Sequence, residues 1–224
     1  LRFGLGEKKK AVSDYKQAIA LWDKSGCSPE AECALLQKRL RKLVLDWNKN
    51  EETSLSRELL EMYRLYAARF SNDSEMAFWG ANVARELKAN REAMALYHQA
   101  AEQSAQAIAK GEDKQDSKIR TVFEGSLLSE IEMAEATKDA KLREKAYGHY
   151  LALNPQGPKS LEVKYQLAHV TYERGDMSKA ADQFYQLAAR EEACRSGKST
   201  PIFCRQAADL ALDAIVVLKN DERL

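Results

Sequence analysis

Four cysteines and three histidines are the side chains of this 224-residue chain best suited to metal, redox or general acid–base chemistry at neutral pH. The cysteines fall into two close pairs, Cys27 with Cys33 and Cys194 with Cys204. Neither spacing is the C-x-x-C of thiol–disulfide catalysis, and no histidine pair accompanies them as a zinc site would need. Each pair instead flanks a helix start, where a hydroxyl N-cap precedes a proline: Ser28-Pro29 and Thr200-Pro201. A residue just before an N-cap approaches the fourth or fifth position of the helix. Disulfides Cys27–Cys33 and Cys194–Cys204 would therefore pin two helix entries. Two local pairs fit an oxidising compartment; four reduced, buried thiols in a cytosolic protein are the alternative.

His98, His149 and His169 belong to no H-E-x-x-H motif, and G-x-S-x-G and phosphate-cradling glycine loops do not occur. Glutamates abound, but no pair is singled out by spacing. The chain therefore reads as non-enzymatic, with no catalytic residues, no cofactor and no metal. Its 35 basic and 34 acidic side chains are intermixed, which argues against nucleic acid, a partner that asks for a basic face. Two basic clusters, Lys8-Lys9-Lys10 and Gln37 to Lys42, read as solvated faces, the first in a turn before Ala11. No window reaches the ~18 apolar residues of a membrane-spanning helix.

The elements that must carry these residues are helices. Period-two apolar runs are nearly absent, and the apolar run Ile215-Val216-Val217-Leu218 continues a helical pattern from Ala207. The polar stretch Lys110 to Lys118 reads as a link, as do Asn154 to Ser160 and Arg195 to Ser199, with another turn between Lys49 and Ser54. That divides the chain into about eleven helices, with antiparallel neighbours because the links are short.

The chain also repeats itself. Residues 161–188 align with 74–101: Phe78 meets Tyr165, Ala81 meets Ala168, Ala93 meets Ala180 and Tyr97 meets Phe184. Within 161–188 the order Leu167-Ala168, Tyr172, Gly175-Asp176, Ala180, Phe184 resembles the tetratricopeptide repeat. Small residues let two helices approach, aromatics fill the seam to a neighbour, and Gly175 suits a helix end that needs positive φ. Asn154-Pro155 resembles the family's closing proline. Gly6, Ala11, Tyr15 and Ala18 share the spacing of Gly175, Ala180, Phe184 and Leu187, so residues 1–20 read as a repeat cut at its start. In the 74–101 copy Lys88-Ala89 replaces the Gly-Asp turn.

This resemblance implies an all-α fold, a right-handed helical solenoid of helix-turn-helix repeats. One solenoid would span 1–224: a truncated repeat at 1–20, degenerate repeats at 28–70, 74–103 and 119–153, the clearest repeat at 161–190, and a C-terminal capping helix at 200–218. It also implies a concave surface formed by first helices, on which Glu162, Tyr165, His169, Tyr172 and Glu173 share one face. The matching set is Glu75, Phe78, Asn82, Arg85 and Glu86. Those residues would take a peptide or partner helix through aromatic anchors, unless Tyr165 and Phe78 pack against adjacent repeats. Met62-Tyr63-x-x-Tyr66 and Tyr147-x-x-Tyr150-x-x-x-Asn154-Pro155 are similar to segments of bacterial envelope proteins of this family, such as the outer-membrane assembly lipoprotein. The implied function is a non-catalytic interaction scaffold, periplasmic or outer-membrane-associated, that helps assemble an envelope machine for export, wall remodelling or motility. The resemblance leaves room for membrane association through an N-terminal anchor and for self-association. A cytoplasmic adaptor or co-chaperone is the first alternative, and the helical arm of a cell-wall hydrolase the second.

Overall fold

The computed structural model describes residues 5–25, 30–51, 54–195 and 202–218, and among these every regular element is helical. The helices are α1 (Leu5–Ser25), α2 (Glu30–Asn50), α3 (Arg57–Arg69), α4 (Ser74–Glu86), α5 (Asn90–Ala109), α6 (Lys118–Ala136), α7 (Ala140–Leu153), α8 (Ser160–Glu173), α9 (Met177–Tyr185), α10 (Glu192–Arg195) and α11 (Ile202–Val217). A short 3-10 turn, Glu112–Lys114, lies in the polar link before α6, and a π turn, Gln186–Arg190, extends α9. The fold is all-α. It divides into two compact units, Leu1–Met133 and Ala134–Leu224.

In the first unit, α1 and α2 both pack on α3, α3 on α4, and α4 on α5. Its core is aromatic where three helices meet: Trp22 of α1 stands edge-on to Phe70 at 5.0 Å, and Phe70 lies 4.6 Å from Tyr66. Two of the buried phenols keep partners: Asn48 donates to the Tyr63 hydroxyl at 2.8 Å and Tyr66 donates to Asp73 at 3.0 Å. Burial pushes the Tyr63 phenol up to about 12, so it stays neutral. Gly80 lets α4 come against α3, because a Cβ there would sit 2.8 Å from that of Tyr63.

Two polar clusters tie the N-terminal helices to this core. Arg41 of α2 binds Asp73 at 2.8 Å and Glu75 at 2.5 Å and lies over the Trp79 ring. Asp73 is also the N-cap of α4, accepting from the Met76 amide. Buried Glu51 pairs with Lys8 of α1 and accepts from both the amide (3.1 Å) and the hydroxyl (2.6 Å) of Ser56, the N-cap of α3. Burial raises the Glu51 carboxyl, but hydrogen bonds from Lys8, Ser56 and Trp47 outweigh it and hold the group below the usual range. The turn expected at Lys8-Lys9-Lys10 does not exist, because these residues lie inside α1, which runs unbroken from Leu5. The lysines are good helix formers, and Lys8 is held there by Glu51.

In the second unit α7 packs on α8, α8 on α9, and α9 on α11. Ala168, Ala180, Phe184, Leu187, Ala207 and Ala211 form its core, the alanines bringing three backbones close around one phenylalanine ring. The π turn and α10 lead Cys194 back to Cys204 of α11, and the two form a disulfide with Cα atoms 5.4 Å apart. Cys33 is also disulfide-bonded. Its expected partner Cys27 lies outside the described residues, as do the Ser28-Pro29 and Thr200-Pro201 helix starts.

Among the described residues a left-handed turn with its amide bonded three residues back closes four helices; at Gly111, after α5, φ is 77° and the bond goes to Ile108, with no aromatic nine residues on. Lys88, Lys138 and Gly175 have φ of 58°, 56° and 82° and each donates its amide to the carbonyl three residues back. After α4 and α8 the next amide also closes on the helix, Ala89 to Ala84 at 2.9 Å and Asp176 to Thr171 at 3.3 Å. That is the left-handed helix end expected of a C′ position. Nine residues beyond Lys88, Lys138 and Gly175 comes a buried aromatic: Tyr97, Tyr147 and Phe184.

Candidate functional site

The sequence nominates one face of α8 and one of α4, and their aromatic members turn inward. Tyr165 lies 5.9 Å from Phe184 and 6.0 Å from Phe203, and Tyr172 6.4 Å from Phe184. Both tyrosines are half-buried against the core of α8, α9 and α11. What α8 leaves to solvent is polar. His169 pairs with Glu173 at 3.3 Å, and Glu162 with Lys159 at 2.9 Å. On α4, Phe78 lies 5.7 Å from Tyr97, and a Cβ on Gly125 of α6 would meet its ring at 3.4 Å. Asn82 accepts from the Tyr97 hydroxyl at 2.6 Å, Arg85 reaches Glu132 at 3.9 Å, and Glu75 holds Arg41. Both faces thus spend their aromatic and amide groups on helix packing.

An open groove of about 470 Å³ lies instead between α3 and α5. Helical spacing builds it. Glu61, Arg64, Leu65 and Ala68 fall on one stripe of α3, and Arg91, Glu92, Ala95, Leu96 and Gln99 on one stripe of α5. Its floor is apolar, from Leu65, Ala68, Ala95 and Leu96, and its depth comes from the two alanines, where a larger side chain would fill the space. The rim carries both signs from each helix. Glu92 bridges the walls by pairing with Arg57 at 2.9 Å and Arg64 at 3.4 Å, and Arg64 also reaches Glu61 at 3.5 Å. Gln99 donates to the Ala67 carbonyl at 2.7 Å, a third link across the groove. These rim pairs are exposed, each worth about 0–1 kcal/mol, so an incoming charge can exchange with them at low cost.

The groove has the size of a pocket for one or two side chains. It is apolar below and carries exposed charges of both signs above. Sequence reading missed it because it depends on which two stripes adjoin. The available signal was an alanine one turn after a charged residue on each stripe, Ala68 after Arg64 and Ala95 after Arg91. A smaller depression of about 320 Å³ in the second unit is lined by Glu135, Lys138, Arg143, Tyr147 and Gln166. There Tyr147 donates to Glu135 at 2.7 Å and Arg143 holds Glu173 at 2.9 Å. Burial, then the Glu135 carboxylate, pushes the Tyr147 phenol up. No family model matches the chain, and no match is found among curated proteins.

Proposed function

We propose that this chain is a non-catalytic protein–protein interaction scaffold, a solenoid of tetratricopeptide type that acts in the periplasm or at the outer membrane to help assemble an envelope machine. The observation that carries this reading is the recurring helix end, a left-handed C′ residue followed nine positions on by a buried aromatic, at Lys88/Tyr97, Lys138/Tyr147 and Gly175/Phe184. Stacked copies of one helix-pair design make extended surfaces, and binding is their usual product. The Cys194–Cys204 disulfide supports the compartment.

Within that scaffold the α3/α5 groove is the recognition site. Its occupant is a peptide or partner helix with one apolar anchor flanked by charges of both signs, matching the floor and the mixed rim. The walls are regular helices, so little ordering is required of the scaffold on binding. Peptide display against the wild type and an Ala68→Glu/Ala95→Glu variant tests this. Both alanines are exposed, so the variant blocks the groove without disturbing the core. The wild type should enrich a peptide class with a central apolar residue, and the variant should lose it. Equal enrichment by both would refute the site.

A further inference from the structure

Among the described residues, two helix faces, one in each unit, expose more than one large apolar side chain beside charge, and their characters are complementary. On α2, Leu35 is 49% and Leu43 43% exposed, and the exposed basic side chains Lys38, Arg39 and Lys42 lie among them. Arg39 is one turn from both leucines, which places the three on one stripe. Glu32 and Asp46 stand at the two ends of this stripe, leaving its middle basic. On α11, Ile202, Leu212 and Val216 are 76%, 51% and 58% exposed, and Arg205, Asp209 and Asp213 share their face. The end of that face nearest Leu212 and Val216 is acidic. The opposite faces of both helices are committed to their cores, through Leu40, Val44 and Trp47 on α2 and Ala207, Ala211, Ala214 and Ile215 on α11.

The charges set these faces apart from ordinary solvated helices. Arg41, next in sequence to the α2 basic residues, is fully engaged by Asp73 and Glu75. No ion pair within the chain involves Lys38, Arg39, Lys42, Asp209 or Asp213 among the described residues. Each face therefore presents large apolar side chains beside charges with no ion-pair partner among the described residues, basic in the middle of the α2 stripe and acidic around Leu212 and Val216 of α11. Such patches on soluble proteins mark interaction surfaces, and opposite potentials set register and partner.

We propose that the occupant of each face is the other face on a second copy of this chain: α11 of one molecule docks on α2 of another. Leu212 and Val216 pack between Leu35 and Leu43, while Asp209 and Asp213 meet Lys38, Arg39 and Lys42. Two different patches meet, so the contact is heterologous, a geometry that propagates into rings or open chains of copies. This association is independent of the α3/α5 groove, whose residues it does not use.

Sedimentation equilibrium of the full chain, disulfides intact, tests the proposal with two charge-reversal variants, Asp209→Lys/Asp213→Lys and Lys38→Glu/Arg39→Glu/Lys42→Glu. The wild type should associate with rising concentration. Each variant alone carries like charge on both faces and should associate more than tenfold more weakly. An equimolar mixture of the two variants has complementary charge at every contact and should recover wild-type association. Leu212→Glu, with circular dichroism as a check on folding, should weaken association without altering helix content. A wild type monomeric to near-millimolar concentration overturns the proposal and leaves the faces to a different protein. Reversal variants that associate like the wild type, or a mixture that recovers nothing, overturn it equally.

Discussion

Lys88 and Gly175 occupy the same backbone position in two helix pairs, and exchanging their residue types should move stability in opposite directions. A non-glycine residue in the left-handed region costs roughly 1–2 kcal/mol, whereas glycine loses roughly 0.5–1 kcal/mol more backbone freedom on folding. The difference makes Lys88→Gly stabilising by about 0.5–1 kcal/mol, and Gly175→Ala destabilising by a similar amount. Side-chain contacts do not complicate the comparison. A Cβ on Gly175 would meet nothing within 4 Å, and Lys88 is exposed. Urea unfolding followed by circular dichroism reads the effect. With a slope of about 2 kcal/mol/M, the midpoint should rise by roughly 0.3–0.5 M for Lys88→Gly and fall by as much for Gly175→Ala. The slopes should not change. Midpoints that stay put, or shift in the same direction, would refute the assignment of strain to this position.

Three further outcomes follow from the polar and covalent ties. Replacing Cys194 and Cys204 by alanine removes a link across ten positions of sequence, which loop-closure entropy values at about 2.7 kcal/mol; urea unfolding without reductant should show that loss in the double variant relative to the wild type, and an unchanged midpoint would contradict it. Arg41→Met leaves Asp73 and Glu75 without their shared partner and should destabilise the first unit by about 1–3 kcal/mol, read by urea unfolding. Glu51 has a lowered carboxyl pKa in the folded protein, so its stabilisation is present above the ordinary carboxylate value of about 4.3 and lost as pH falls through the lower folded value. Glu51→Gln should therefore flatten the acid side of a plot of Tm against pH, while changing its shape little near neutrality.

Much of the helical frame was legible from local chemistry. Gly175 was read as a left-handed helix end and has φ of 82°. The link at Asn154 to Ser160 falls between the end of α7 at Leu153 and the start of α8 at Ser160. Cys194 and Cys204 were paired from their positions around a helix entry and are bonded. Lys88-Ala89 aligned with the Gly175-Asp176 turn, yet the left-handed backbone at Lys88 and at Lys138 was not legible, because the αL position is favoured by glycine but not restricted to it. The helix break expected near Lys8 failed for the converse reason: Gly6 matched a repeat position, yet nothing around it ended the helix.

Sites were harder to read than elements because they depend on neighbours. The spacing of Tyr165, His169 and Tyr172 correctly put them on one side of α8, but spacing does not say whether that side meets solvent or Phe203 of α11. Phe78 and Asn82 were likewise placed on one face and are engaged by Tyr97 of α5. The groove emerged where Ala68 of α3 and Ala95 of α5 face each other between charged residues, a coincidence that needs the packing of both helices to be known.

The most direct test of the scaffold account is site-specific photo-crosslinking in cells, with a photoreactive residue at Ala68, at Ala95, or at exposed Gln115 as a control. The account predicts adducts to the same small set of envelope proteins from both groove positions, none from Gln115, and loss of the adduct at Ala68 when Ala95 is replaced by Glu. Adducts that are the same at Gln115, or absent from both groove positions, would contradict it.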